Sequence, residues 1–190
     1  PSLSAAPTRK GAAMTDLVGR VVAICAALDK HRIPWALGGA LALAYATAEP
    51  RGTRDIDVNV FVGADQARAV FEALPQDVRH QRTDITAARR DDQVRLWWED
   101  TPVDIFFGAD RFHHDVASRC VTVSFSGRDI RVLCAEDLAV FKAMFDRSQD
   151  WVDIETMAAS DAIDLDVAAT RLQEVLGDDS RVARLRNIAR

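Results

Sequence analysis

The sequence predicts a mixed α/β (α+β) fold: a small mixed β-sheet core with flanking helices, followed by a helical C-terminal part. Three observations carry this. Short runs of period-two alternation, such as Ile56-Asp57-Val58-Asn59-Val60, mark strands. Apolar residues at helical spacing separate those runs, and from Ala135 onward the pattern is helical throughout. With 190 residues, 48% hydrophobic and 28% charged, the chain has the composition of one globular domain or a core with a helical appendage.

The divisions expected are 1–13 as a flexible extension or cloning remnant, 14–134 as the core, and 135–190 as the helical part. Residues 1–13 are small, polar and without a signal-peptide core, and Met14 is a candidate natural start. Leu17, Val21, Ile24 and Leu28 predict a helix from Asp16 to about Lys30. Pro34 ends it, Trp35-Ala36-Leu37 reads as a short buried strand, and Gly38-Gly39 turns the chain into a helix from Ala40 to about Ala46. Glu49-Pro50-Arg51-Gly52 is a loop by its punctuation.

From Asp55 to Val62 a strand presents Ile56, Val58 and Val60 on one face and Asp55, Asp57 and Asn59 on the other. A helix follows from Gly63 to Leu74, and the polar, arginine-rich stretch 79–92 reads as an edge strand and loop. Val94–Trp98 and Pro102–Phe107 form a predicted hairpin, with Asp104 and Phe106 opposite the apolar face of the second strand. A short helix is expected over Asp110–Ser118, and a hairpin of 121–125 with 130–133 turns at Ser126-Gly127. The C-terminal helices break near Arg147, Ser160 and Gly177.

The net charge of −5 argues against a DNA-coating protein, whose affinity comes from many phosphate contacts. The three cysteines, Cys25, Cys120 and Cys134, lack metal-ligand spacing and read as reduced thiols. No apolar run is long enough to span a membrane, so a cytoplasmic protein is expected.

The chemistry concentrates in two motifs. A glycine pair, Gly38 and Gly39, opens a helix whose N–H groups can meet β- and γ-phosphate oxygens. Asp55 and Asp57 then share one face of a strand, roughly 7 Å apart at their Cβ atoms, close enough to lean onto common cations. Asp104, the polar residue of an otherwise apolar strand, is the candidate third metal ligand and the group that assists deprotonation of an acceptor. Hard carboxylate oxygens suit Mg²⁺, with Mn²⁺ as a substitute. Either motif alone is an ordinary solvated strand or tight turn. Together they point to metal-dependent nucleotidyl transfer from a nucleoside triphosphate (NTP).

Ala36-Leu37-Gly38-Gly39 with Arg51-Gly52-Thr53-Arg54-Asp55-Ile56-Asp57-Val58 resembles the signature of the DNA polymerase β-type nucleotidyltransferase superfamily, with a slightly longer glycine-to-aspartate gap. Glu136-Asp137-Leu138-Ala139-Val140-Phe141-Lys142, then Arg147, Asp150 and Asp153, resembles the later motifs of AbiEii-like enzymes, which include toxins of type IV toxin–antitoxin pairs and the MenT-type toxins of mycobacteria. That resemblance implies a catalytic Lys142 facing the triphosphate, with Arg147, Asp150 and Asp153 completing the nucleotide-binding cleft. The alternative for Lys142 is a surface lysine with a buried stem, and for Asp153 a helix-surface pair or cap. The resemblance also implies a toxin that adds nucleotides, CMP from CTP among them, to the 3′ acceptor end of tRNA, blocking aminoacylation, with a cognate antitoxin protein as partner. No DNA or membrane partner is expected. Thr53, two residues before Asp55, lines the nucleotide-binding motif and is the candidate site of regulatory phosphorylation, since a phosphate there would sit beside three carboxylates. Its alternative is a loop threonine bonding the backbone.

Other residues have plainer readings. His113 and His114, adjacent on a helix, cannot easily share one ion and read as structural. Trp97 and Trp98 divide between the core and an exposed face, where one ring could stack on a base. Arg79, Arg82, Arg89, Arg90 and the arginines from Arg181 to Arg190 could form an RNA-contacting rim, or simply solvated faces. Two other functions compete: transfer of AMP to an antibiotic hydroxyl or a protein side chain, and a degenerate, non-catalytic binding subunit.

Overall fold

The structure, a computed structural model, describes residues 9–49 and 52–188. Residues 1–8, Pro50, Arg51 and Arg190, on which some of the expectations above fall, lie outside that range. Among the described residues there are nine α-helices and seven strands: α1 Arg9–Lys30, β1 Trp35–Leu37, α2 Gly39–Thr47, β2 Ile56–Val60, α3 Ala67–Ala73, β3 Val78–Arg79, α4 Arg82–Asp91, β4 Gln93–Trp98, β5 Thr101–Phe107, α5 Arg111–Arg119, β6 Val121–Phe125, β7 Arg128–Val132, α6 Ala135–Phe145, α7 Ser148–Ala159, α8 Leu165–Leu176 and α9 Ser180–Arg186.

The strands form one mixed sheet in the order β3-β4-β5-β2-β1-β7-β6. The central pair β2 and β5 is parallel and in register from Ile56↔Val103 to Val60↔Phe107, so Asp57 stands directly beside Asp104. Ile56, Val58, Val103 and Ile105, on the opposite face, are fully buried. Since side chains alternate along a strand, burying those four fixes both aspartates on the other face. Strand β1 is antiparallel to β2 and parallel to β7. The hairpin of β4 and β5 turns in two residues, Glu99 and Asp100, which places Arg95 opposite Asp104. The turn at Ser126 and Gly127 holds both residues at positive φ (50° and 76°), the conformation that tight hairpins favour.

Two ionic ties lock helices to this sheet. Arg20 of α1, 4% exposed, donates to the Trp98 carbonyl at 2.7 Å and reaches Glu99 at 2.6 Å, pinning α1 to the β4–β5 turn. Asp137 of α6, fully buried, accepts two hydrogen bonds from Arg119 of α5 at 2.9 Å and one from Arg171 of α8 at 3.0 Å. Around these, Trp151, Ile154, Met157, Leu165 and Leu172 bury the inner faces of the C-terminal helices.

Three boundaries depart from the sequence expectation. The first helix begins at Arg9 rather than Asp16, so residues 9–13 belong to it. The stretch 82–91, expected as loop, is helix α4. It offers only Ile85 and Ala88 to the core, too few apolar positions to show a helical period, yet Gln81 and Asp84 close a capping box at its start. Strand β2 spans Ile56–Val60, shorter than the predicted run to Val62. The helix breaks near Arg147, Ser160 and Gly177 fall where expected.

Candidate active site

A cleft of about 940 Å³ opens over the polar face of β2 and β5. Its floor is Asp55, Asp57 and Asp104, one wall is the start of α2 with Gly38 and Gly39, and another is formed by α6 and α7 with Lys142, Arg147, Asp150 and Asp153. Helix α4 and strand β4 close the remaining side with Asp84, Asp91, Gln93 and Arg95. Every site residue expected from the sequence lines this cleft, Thr53 included.

The glycine pair serves close packing. The Gly38 N–H donates to the Asp57 carbonyl at 2.9 Å, so that donor is engaged in holding α2 against β2. This corrects the expectation that both glycine N–H groups serve phosphate. Gly39 has φ +52°, and a Cβ there would collide with the Asp57 carboxylate. A Cβ at Gly38 would press within 2.7 Å of the Asn59 amide. The first turn of α2 leaves N–H groups without intrahelical partners, and it points them into the cleft wall where an anion would be stabilised.

On the floor, burial first and then the neighbouring Asp104 and Asp55 carboxylates together push the Asp57 carboxyl up from the usual 3.8 to about 6, against the opposing pull of Lys142 and Arg147. Asp104 is held in a two-pronged pair by Arg95, Nε to Oδ1 at 2.7 Å and Nη2 to Oδ2 at 2.6 Å, and the same Nη2 lies 3.9 Å from Asp55. The bonds to Asp104 raise the arginine's own pKa. Thr53 Oγ lies 2.9 Å from Asp55 Oδ1 and 3.1 Å from its carbonyl oxygen, so the hydroxyl orients Asp55.

Lys142 is not a surface lysine: it is 8% exposed, its Nζ donates to Asp153 Oδ2 at 2.6 Å, and Asp150 Oδ1 lies 3.5 Å away. Asp150 is in turn gripped by Arg147 at 2.6 and 3.1 Å, and Asp153 accepts from Gln149 at 3.0 Å. Asp150 and Asp153 are buried carboxylates that aim the lysine. Phe145, with the Arg147 guanidinium 5.1 Å over its ring and Phe106 edge-on at 5.6 Å, forms an aromatic ledge in the same cleft.

The sequence reading missed Arg95, Asn59 and the Phe106–Phe145 ledge. Arg95 was within reach of a register count, because a two-residue turn at Glu99-Asp100 sets it opposite Asp104. The arginines expected as an RNA rim or as solvated faces make local contacts. Arg89 donates to the Asp65 carbonyl, Arg90 pairs with Asp91, Arg181 with Asp179, Arg186 with Gln173, and Arg184 stacks 3.9 Å over Trp151. Neither these arginines nor Arg79 and Arg82 line the cleft. His113 sits against Asp110 at the cap of α5, and Trp97 is exposed while Trp98 packs on the core beneath Arg20. The three cysteines are free thiols.

Among the described residues, no three His, Cys, Asp or Glu side chains stand close enough together, as oriented, to hold a metal ion. The floor carboxylates are nonetheless hard oxygen donors, the ligand type that divalent cations such as Mg²⁺ take. Asp57 and Asp104 are register partners, and Asp55 shares their cleft. Arg95 supplies a direct counter-charge on Asp104.

A carboxylate floor faced by a buried lysine and the start of a helix is the arrangement expected of a nucleotidyltransferase, and that is the class the chain falls in. The chain belongs to the DUF6036 family, described as a nucleotidyltransferase of unknown function, which matches residues 27–188. A search of curated proteins finds no match. Solved structures share the fold. The antibiotic-resistance factor ANT(2'')-Ia superposes with a TM-score of 0.59 at 18% identity, over 90% of this chain and 96% of that one. The lincosamide antibiotic adenylyltransferase LnuA, solved with lincomycin, gives 0.51 at 15% over 75% and 96%. An antigenic nucleotidyltransferase-like protein from Paracoccidioides brasiliensis gives 0.51 at 14% over 92% and 94%. At these identities the likeness is one of fold. Among the described residues no helix is long and apolar enough to cross a membrane.

Proposed function

We propose that this nucleotidyltransferase is metal-dependent and moves a nucleoside monophosphate from an NTP onto the hydroxyl of a small acceptor, releasing pyrophosphate. The observation that carries the reading is the row of Asp57 and Asp104 on adjacent strands, facing Lys142 across one cleft. Asp55, Asp57 and Asp104 would hold Mg²⁺ or Mn²⁺, which when bound supplies Lewis-acid activation and charge neutralisation. The first turn of α2 anchors phosphate oxygens. Lys142, aimed by Asp153 and Asp150, offsets the charge of the departing pyrophosphate. Asp104 lies on the acceptor side, where it accepts the hydroxyl proton.

The acceptor class follows from charge. Among the described residues, besides the three floor aspartates, the cleft presents Asp84, Asp91, Asp150 and Asp153 against Arg95, Lys142 and Arg147. The floor acids are offset when metal and NTP bind, and the acids that remain along the walls suit an amine-bearing hydroxyl compound as acceptor. ANT(2'')-Ia and LnuA, antibiotic-directed proteins of similar extent, support this choice.

A second reading, transfer of CMP to the tRNA acceptor stem by an AbiEii/MenT-type toxin with a cognate antitoxin, is favoured by the Glu136–Asp153 segment that resembles those enzymes. Under it, phosphate on Thr53 would break the bond that orients Asp55 and silence the enzyme. One experiment separates the two: protein, Mg²⁺ and each labelled NTP with aminoglycosides and lincosamides, with total tRNA, or with neither. Label on the small molecule supports the first reading and label on tRNA the second. No transfer to any acceptor, with an Asp57→Ala control indistinguishable from wild type, overturns both.

A further inference from the structure

The pairing of Arg95 with the acidic floor has a function of its own. Arg95 and Asp104 are cross-strand partners, and Asp104 is in turn the register partner of Asp57, so the three side chains form a row across β4, β5 and β2. The guanidinium takes both Asp104 oxygens, at 2.7 and 2.6 Å, and extends its Nη2 to within 3.9 Å of Asp55. It therefore covers the two acids between which a cation would have to bind.

Building on the metal-dependent reading above, we propose that Arg95 is a resident surrogate cation: it neutralises Asp104 and Asp55 in the metal-free protein, and a divalent ion must displace it to bind. An ion ~2.1 Å from an Asp104 oxygen would stand within about 5 Å of the guanidinium, and the two positive charges repel. The arginine is able to yield, because its side chain is 51% exposed whereas that of Asp104 is 15% exposed. Metal binding and the Arg95–Asp104 pair are thus reciprocally linked: each weakens the other by the same factor. Arg95 is in this sense a positioning residue. It holds the carboxylates of β2 and β5 in one arrangement before the ion arrives and sets the concentration at which loading occurs.

The test is Mn²⁺ binding, read by electron paramagnetic resonance of free Mn²⁺, for the wild type and for Arg95→Met, Arg95→Lys and Asp57→Asn. Losing a charge-assisted, two-pronged pair makes Arg95→Met bind Mn²⁺ about tenfold or more tightly. Arg95→Lys, which keeps the charge without the fork, falls between, and Asp57→Asn binds more weakly than wild type. In parallel, metal-free Arg95→Met melts below wild type, and saturating Mn²⁺ closes the gap. If wild type binds Mn²⁺, Asp57→Asn weakens it, and both Arg95 variants bind no more tightly than wild type, the surrogate-cation inference fails while the metal reading stands. If neither the wild type nor any variant binds Mn²⁺, the metal reading fails and takes this inference with it.

Discussion

Gly39 and Asp57 are packed so closely that a β-carbon on residue 39 would overlap the Asp57 carboxylate. The contact joins the two halves of the motif: the start of α2 rests on the strand that carries the acids, and the Gly38 N–H bond to the Asp57 carbonyl fixes the distance. Gly39→Ala must therefore both strain a φ of +52° and push the carboxylate aside. The backbone alone costs about 1 kcal/mol. A displaced carboxylate lowers turnover by about 100-fold or more. Activity assays beside thermal melts check this; an active Gly39→Ala protein would show that Asp57 tolerates the shift.

The raised carboxyl of Asp57 makes stability depend on pH. With a folded pKa of about 6 against an ordinary 3.8, the folded state holds the proton more tightly than the unfolded chain. The group's favourable contribution is complete below the unfolded value and is lost as pH rises through the folded one, between about pH 4 and 6. The loss approaches roughly 3 kcal/mol as an upper bound. Metal-free Asp57→Asn is expected to match the wild type near pH 4 and to melt several degrees higher at pH 7. A difference in melting temperature that does not vary with pH would overturn this assignment.

Lys142 and Asp153 form a buried pair at 2.6 Å, and Asp150 lies 3.5 Å from the same ammonium. Removing either partner leaves the other with weaker compensation, Asp150 for the lysine and Gln149 for Asp153, at a cost of about 2 kcal/mol. Lys142→Met and Asp153→Asn should each destabilise the protein, and the double variant should cost at least about 1 kcal/mol less than their sum. Denaturant titrations of the four proteins measure that coupling. Turnover should fall most in Lys142→Met, since only the lysine can face a triphosphate.

Asp137 lies outside the cleft but anchors one of its walls, because Arg119, Asp137 and Arg171 tie α5, α6 and α8 together. Asp137→Ala leaves two arginines without their buried acceptor and should cost about 3–5 kcal/mol. At temperatures where the variant is folded, the Michaelis constant for NTP should match that of the wild type, since Asp137 does not line the cleft. Chemical denaturation and steady-state kinetics separate the two effects.

Local pattern in the sequence determined the alternation of β2 and β5, the positions of the C-terminal breaks and the candidates Gly38, Gly39, Asp55, Asp57 and Asp104, through side-chain periodicity and the backbone freedom of glycine, which act over a few residues. Lys142, Arg147, Asp150 and Asp153 were expected only from a resemblance. Helix α4 was not legible in this way, because Ile85 and Ala88 alone face the core and its capping box is formed by Gln81 and Asp84 rather than a more familiar cap. What only the tertiary structure decided is which charges meet. The parallel register of β2 with β5 sets Asp57 beside Asp104, the hairpin brings Arg95 onto Asp104, and packing of α6 on α7 buries Lys142 between two aspartates. Electrostatic coupling acts through space, across strands and helices remote in the chain. The sequence therefore names the ionisable groups, and the fold decides which are neutralised, which repel, and which remain to do chemistry.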